Sequence, residues 1–569
     1  MPAQSNWTGK AAVLAAAALG PFLVFWPTLS YGFLLDDFVL YQRSASLAHL
    51  GSIAHGFVSD VGAVRKGAET VISSYYRPVF LALSTLYYQV VGGREAAWHA
   101  AAVALAALVG ALACGFLWRL GMQPGLALLA SLAFSLHPAH TSSVAWASGL
   151  QELLAATFVL LALHAVLWRR PAGAALPIGL AALAYALALL SKEVAVGLPL
   201  FVGVWAASRW RSDRAEARRL VKVAGTLAAV TAIYLLVRVA VLGGLARPSP
   251  GAPRLATALA STPIAASAYL RLLLWPTGFS ILRPERPVFQ PTDAVVWLTA
   301  AALIALGALA GWAIRRRRPL LLPVAWLVVW LLPVLNLWAL EPQWMVTDRY
   351  LFLPALALPW ALALLLPRRV ATVALAVLVV AFAGLTLRYS AIFRNEPTFL
   401  AAMERAEPGS PLVFAEKGRL LQQAGDRAGA RAAYLRAVEL DPLAPGALLA
   451  LADLELQSND LDAAERHARQ ALIVRPYASR PFKLLAIALS RAGLRQRALA
   501  IAEESARRWP SDFEAQLLDA LLLGAAGERQ RGEQAFDAAR RLRPQDPGVV
   551  GGFDAALSRL LPTMQPRQP

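Results

Sequence analysis

Two adjacent carboxylates follow the first long apolar stretch of the chain, in Leu35-Asp36-Asp37-Phe38. Acids at the edge of such a stretch are costly unless water or a reaction uses them. A carboxylate there can take the proton of an acceptor hydroxyl as a general base, or hold a hard cation. The plainer alternative is a solvated cap. Tyr75-Tyr76-Arg77-Pro78 comes next. Its arginine can grip a phosphate through two parallel N–H bonds, and its proline suits a first helical turn. An arginine reaching for water at an interface is the plainer reading. The run His137-Pro138-Ala139-His140-Thr141-Ser142-Ser143-Val144-Ala145-Trp146 continues into Ser148-Gly149-Leu150-Gln151-Glu152. Two histidines three apart resemble a metal pair. No cysteine and no firm third ligand accompany them, so hydrogen bonding to a phosphate or a sugar suits them better than zinc. Ser191-Lys192-Glu193 sets opposite charges side by side, so each can face a different partner. Asp348-Arg349-Tyr350-Leu351-Phe352-Leu353-Pro354 opens another apolar run. Charge at or within a bilayer is a functional candidate by default, with interhelical ion pairs the frequent alternative.

The elements that must position these residues are apolar. The 569-residue chain is 58% hydrophobic and 16% charged, against roughly half apolar and a quarter charged in a soluble domain. The excess lies in residues 11–388, while 390–569 read as a soluble helical domain. A bilayer core needs about 20 apolar residues per helix. Spanning helices are expected near 11–29, 96–118, 124–136, 150–168, 173–190, 194–208, 220–242, 294–314, 319–340, 350–366 and 370–388. The first lacks a small-residue cleavage site and reads as an anchor, not a signal peptide. The single cysteine, Cys114, sits inside an apolar run, which excludes an intramolecular disulfide.

The net charge of +19 is concentrated in Arg169–Arg170, the stretch Arg209 to Lys222, Arg315–Arg318 and Arg368–Arg369, all between apolar runs. That is the positive-inside pattern of a membrane protein; no basic groove with aromatic platforms suggests nucleic acid. The clusters fall on one side if 75–92 and 256–275 lie in the interface, which leaves eleven spans. The N-terminus is then cytoplasmic, and the C-terminal domain is periplasmic at a bacterial inner membrane. Asp36, Asp37, Tyr76, Arg77, His137, His140, Lys192, Glu193, Asp348 and Arg349 all fall at the external face, beside a long first loop, 30–95.

The C-terminal region repeats every 34 residues. Proline recurs at 442, 476, 510 and 544, and Gly425, Asn459, Gly493 and Gly527 mark the turns. Small residues fill two further registers: Ala437, Ala471, Ser505 and Ala539, and Ala430, Ala464, Ala498 and Gly532. Paired helices approach closely only over small side chains, Gly or Asn allows the left-handed turn, and Pro ends the second helix. Four tetratricopeptide repeats are expected over 411–544, after a linker helix at 389–410, with 548–561 as a cap. Such solenoids present a groove to a peptide or protein. Glu416, Arg419, Gln423, Asp453, Gln457 and Lys483 are the expected groove residues, suited to an extended polypeptide acceptor. A structural spacer is the alternative.

Taken in order, these motifs followed by repeats resemble the transmembrane and tetratricopeptide-repeat protein O-mannosyltransferases. More distantly they resemble the GT-C superfamily, which includes oligosaccharyltransferases. The resemblance spans residues 10–545, and the order of the motifs is its specific part. It implies an all-α, GT-C-like membrane domain and transfer of a sugar from a polyprenyl-phosphate carrier to a hydroxyl, with inversion, at the external face. It places the catalytic acid at Asp36 or Asp37. Where related sequences carry Thr-Glu-Ala-Val-Ala-Trp, this chain has Thr141-Ser142-Ser143-Val144-Ala145-Trp146, and Leu150-Gln151-Glu152 stands where Arg-Lys-Asp often follows. The carrier phosphate is an anion and needs charged partners. Arg77, Lys192 and Arg349 are candidates for it, with Tyr76, His137, His140, Glu193 and Asp348 completing a donor site. No tightly bound metal is expected, although Asp36 and Asp37 suit a loosely held divalent cation. The other function classes are an O-antigen ligase-type enzyme, a membrane-anchored assembly scaffold and a transporter.

Overall fold

The computed structural model describes residues 7–42, 47–59, 75–168, 175–244, 254–278, 289–337, 345–474, 478–510, 512–544 and 546–560. Arg169–Arg170, Pro476 and part of the first loop lie outside these residues. The fold is all-helical, 82% helix, with no strand among the described residues. The chain divides into two compact units, the second being Glu407–Pro569.

In the first unit, α1 (Trp7–Phe25) is followed by the short α2 (Gly51–Gly56), then α3 (Pro78–Val91), α4 (Glu95–Arg119) and α5 (Pro124–Ser135). Next come α6 (Leu150–Val166), α7 (Ala175–Ser191), α8 (Leu198–Arg209) and α9 (Arg214–Leu242). The unit ends with α10 (Leu255–Leu274), α11 (Ala294–Arg316), α12 (Leu321–Leu331), α13 (Ala357–Leu365), α14 (Arg368–Ser390) and α15 (Glu396–Ala406). Apolar helices in lipid gain little from burying more carbon, so close packing over small residues decides which ones pair. Gly110 shows this on α4: a Cβ there would stand 2.7 Å from the Ala17 carbonyl oxygen of α1.

Eight stretches among the described residues are long and apolar enough to cross a bilayer: Gly9–Ser30, Glu95–Arg119, Ala147–Val166, Arg214–Leu242, Leu255–Leu274, Ala294–Arg316, Arg318–Leu335 and Arg368–Phe393. The fifth coincides with the helix expected to lie in the interface at 256–275, and by length and composition it is also able to span. Its Arg271 lies in the last helical turn, where it does not interrupt the apolar length. The expected spans 194–208 and 350–366 are shorter as α-helices, Leu198–Arg209 and Ala357–Leu365, while the expected 124–136 is itself short and 173–190 is helical over the described Ala175–Ser191. Pro124–Ser135 has 12 residues, which reach about 18 Å of a core about 30 Å thick. Proline at its first position and His137-Pro138 at its end fix that length. In 350–366, the helix begins only after the turns Asp348–Leu351 and Pro354–Leu356. α11 is the least embedded: Val296 is its one buried residue, while Trp297, Leu298, Ile304 and Trp312 are exposed.

Of the expected linker helix 389–410, residues up to Ala406 belong to the first unit and Glu407 begins the second. α15 buries Phe399, Leu400 and Met403, spaced to share one face, and Phe399 lies 6.2 Å from the Trp146 ring.

The second unit is a row of helix pairs: α16 (Pro411–Gln423) with α17 (Arg427–Leu440), α18 (Pro445–Ser458) with α19 (Leu461–Val474), α20 (Ser479–Arg491) with α21 (Arg495–Arg508), and α22 (Phe513–Ala525) with α23 (Arg529–Leu542). Asn459 adopts φ +62°, as the 34-residue register requires, a conformation asparagine tolerates better than most side chains. Ala430, Ala437, Ala464, Ala471, Ala498, Ser505 and Ala539 are 0% exposed, so the small-residue registers are the helix contacts. Gly532 has the same role, since a Cβ there would meet the Phe553 ring at 2.8 Å. That ring belongs to α24 (Phe553–Leu560), which closes the end of the solenoid over Phe536.

Candidate functional site

Asp36 and Asp37 open a helical turn that runs into a π-helical turn, Phe38–Gln42. Although adjacent, they are held differently. Asp37 is 0% exposed. Its Oδ1 accepts from the Ser148 N–H at 2.7 Å and its Oδ2 from the Leu34 N–H at 3.2 Å. Burial pushes its carboxyl well above the usual carboxylate range, against the pull of those two N–H groups. Asp36 is exposed. The residue before the pair, Leu35, has φ +44°. For leucine that conformation costs on the order of 1–3 kcal/mol and persists only where surrounding contacts impose it. The contacts are visible: Asp37 joins Leu34 to Ser148, and Trp146 Nε1 donates to the Leu34 carbonyl at 3.2 Å. The 141–149 segment is folded tightly enough that a Cβ on Gly149 would fall 2.4 Å from the Ser143 carbonyl oxygen.

A charged network adjoins this turn. Arg77 forks onto Glu193, Nε to Oε2 at 2.9 Å and Nη2 to Oε1 at 2.5 Å, and its Nη1 donates to Gln151 Oε1 at 2.5 Å. Lys192 Nζ donates to Glu152 Oε1 at 2.5 Å. Lys192 and Glu193 therefore face different partners. The reason is local: Lys192 has extended backbone, φ −159°, and consecutive side chains on extended backbone point to opposite sides. Burial raises the pKa of the half-buried Glu193, but the Arg77 guanidinium outweighs it and holds the group at about 2. Burial lowers the pKa of Lys192, opposed by Glu152.

Arg349 is the least committed of the three cations expected to meet phosphate. Its Nε stands 4.0 Å from Glu152 Oε1, with 19% of its side chain exposed. Its guanidinium lies 4.5 Å from the Trp146 ring centroid and within electrostatic reach of Asp37. Asp348 is buried beside it and lines a cleft with Thr141 and Ser142.

Three of the expected donor contacts have main-chain partners instead. Tyr76 is buried and donates to the Phe57 carbonyl at 3.0 Å. His137 Nδ1 accepts from the Ala139 N–H at 3.2 Å, so its Nε2, 3.2 Å from the Leu273 carbonyl, carries the proton and donates. His140 Nε2 lies 3.1 Å from the Phe352 carbonyl, and the ring is wedged between Phe134 and Phe352. Burial lowers the pKa of His137 to about 4 and of His140 to about 3. Both are neutral struts at neutral pH. With the His137 lone pair occupied, the two rings form no metal pair. No group of three or more metal-ligating side chains occurs among the described residues.

Sequence reasoning assigned no role to Gln151, Glu152 or Arg238. A signal existed, since an acid in the first turn of apolar α6 and an arginine within α9 each need a partner. Arg238 donates to Tyr234 Oη at 3.1 Å and helps hold Glu193 ionised.

Of the expected groove residues, Gln423 and Gln457 are exposed and Asp453 is half-buried. Glu416 pairs with Arg419 at 2.7 Å along one helix. Lys483 is buried and donates to Glu514 of the next repeat, so it braces two repeats together. Glu455, 0% exposed, accepts from His467 Nδ1 at 2.7 Å when that nitrogen is protonated.

No protein-family profile matches the chain, and no curated protein matches it. Among solved structures, the chain is similar to YrrB, a tetratricopeptide protein with an unusual peptide-binding site, at 19% identity and TM-score 0.24, over 26% of this chain and 75% of that one. It is similar to pilF of Pseudomonas aeruginosa at 18% identity and TM-score 0.25, over 31% and 82% of the two chains. Yeast Tom70 matches at 11% identity and TM-score 0.20, over 80% and 94%. The tetratricopeptide assignment rests on the 34-residue helix pairs themselves.

Proposed function

We propose that the chain is a membrane glycosyltransferase. It moves a sugar from a polyprenyl-phosphate carrier to a hydroxyl, on a protein acceptor, at the periplasmic face of a bacterial inner membrane. One observation supports this reading above the others: motifs scattered from Asp36 to Arg349 form one connected polar cluster, in which an exposed carboxylate adjoins a clamped one and a stacked arginine.

In this mechanism the Asp36 carboxylate takes the acceptor O–H proton. The acceptor oxygen bonds to the anomeric carbon as the bond from that carbon to the phosphate oxygen breaks, on the opposite face. Polyprenyl phosphate leaves, and the guanidinium of Arg349 offsets its charge. Asp37 transfers no proton in the reaction; it fixes the turn that presents Asp36. Arg77 and Lys192 already have carboxylate partners, so they shape the site and Arg349 meets the phosphate. No tightly held metal takes part.

The repeats serve as acceptor capture, which raises the local concentration of a tethered substrate. Membranes supplied with labelled polyprenyl-phosphate sugars should show chain-dependent transfer to protein. Removing residues 411–569 should leave donor binding intact and cut transfer to a protein acceptor at least tenfold, within the range expected of tethering. Unchanged transfer would show that the repeats do something else. No transfer with any donor would favour the scaffold reading, which the repeats alone can support.

A further inference from the structure

A second feature of the same unit points to where the transferred sugar sits. The cleft beside Asp348 encloses about 50 Å³ and opens to solvent, so it has room for one edge of a ligand ring rather than for a whole ligand. One wall is polar: Thr141, 2% exposed, Ser142, 5% exposed, and Asp348, 6% exposed. Thr141 Oγ1 and Ser142 Oγ have no hydrogen-bond partner among the described residues. A buried hydroxyl without a partner costs free energy, and a native structure that keeps two side by side calls for a reason. The opposite wall is apolar, with Phe393, Phe399 and Met403. No lysine or arginine lines the space among the described residues.

That combination fits a neutral polyol. A pyranose ring presents hydroxyls on its edges and C–H groups on its faces. Hydroxyl side chains can both donate to and accept from such a ring, and a carboxylate accepts from it. Aromatic and thioether groups suit the C–H face. A phosphate fits poorly, because the lining offers no cation and includes a carboxylate. The cleft also adjoins the proposed reaction centre: Phe399 contacts Trp146, the ring on which Arg349 rests.

We propose that the cleft bounded by Thr141, Ser142, Asp348, Phe399 and Met403 receives one hydroxyl-bearing edge of the donor's sugar ring, while the carrier phosphate lies outside it at Arg349. This rests on the glycosyltransferase reading above, and the two are separable by experiment. The probes are methyl pyranosides of glucose, mannose and galactose, and citronellyl phosphate, each titrated by saturation-transfer NMR against the full-length protein in nanodiscs. At least one pyranoside should bind. The double variant Thr141→Val/Ser142→Ala should weaken it about tenfold or more, the scale of two lost hydrogen bonds. Its thermal midpoint should match the parent, because hydroxyls without partners hold nothing in place. Citronellyl phosphate should bind the double variant as it binds the parent and be lost in Arg349→Ala.

Pyranoside binding that is equal in parent and double variant overturns the assignment. So does a parent that binds citronellyl phosphate through Arg349 but no pyranoside, and that outcome leaves the lipid-donor reading standing. Pyranoside binding that depends on Thr141 and Ser142, with no citronellyl phosphate binding, keeps the cleft and removes the lipid donor.

Discussion

Asp36→Asn is expected to abolish sugar transfer, with a loss of about a hundredfold or more, the usual contribution of a positioned base. Asparagine keeps the shape and cannot take the acceptor proton. Because Asp36 is exposed, donor binding and thermal midpoint should be unchanged. Asp37→Asn should give the opposite pattern. Each Asp37 oxygen accepts one backbone N–H, and an amide has only one acceptor oxygen. Either the Leu34 or the Ser148 N–H would then face an NH2 group, at a cost of about 1–3 kcal/mol in stability. Transfer assays and melting curves on the two variants in native membranes separate the roles. Wild-type turnover by Asp36→Asn would place the base elsewhere.

The second large effect is on stability. Lys192 and Glu152 are an ion pair with 5% and 3% of their side chains exposed. Lys192→Met should destabilise the first unit by up to about 3–5 kcal/mol, because it leaves a buried carboxylate with only the more distant Arg349, 4.0 Å away. Glu152→Leu strands the lysine charge instead. Lys192→Met combined with Glu152→Leu should recover most of the loss, since apolar replacement of a whole buried pair is often neutral or better. Thermal midpoints of the parent, the two singles and the double in nanodiscs form the cycle. A Lys192→Met protein that melts with the parent would mean that water reaches the pair.

The repeats were legible because a 34-residue period samples the same constraint four times. Asn459 could be placed in a left-handed turn without any coordinates, because glycine fills the equivalent position in the other three repeats. The first unit offers no such redundancy. Its motifs could be recognised as polar residues with no reason to sit in lipid, but their partners depend on folding. Glu152 was visible as an acid in an apolar helix, yet nothing local says that a lysine 40 residues later meets it. Asp36 and Asp37 are indistinguishable in sequence; what separates them is the turn at Leu35 and the distant Ser148 N–H. The histidines looked like ligands because the carbonyls that occupy them belong to Leu273 and Phe352, far along the chain. Helix length was misjudged at 350–366, where the turns through Pro354 delay the helix until Ala357. The segment 389–410 read as a linker because its one buried face spans only three residues of α15.

α11 has a consequence of its own. In the membrane setting proposed above, a helix that buries a single residue among the described ones would take its solvation from annular lipid. Its tilt is then set by the thickness of the surrounding bilayer, at a cost of fractions of a kcal/mol per Å of mismatch. Trp297 near one end and Trp312 near the other suit the two interfaces, where amphipathic rings settle at headgroup depth. The four arginines that follow, Arg315–Arg318, would anchor that end to anionic headgroups. A membrane of different thickness would therefore tilt this helix while leaving the pair Lys192–Glu152, locked by its own low-dielectric surroundings, where it is.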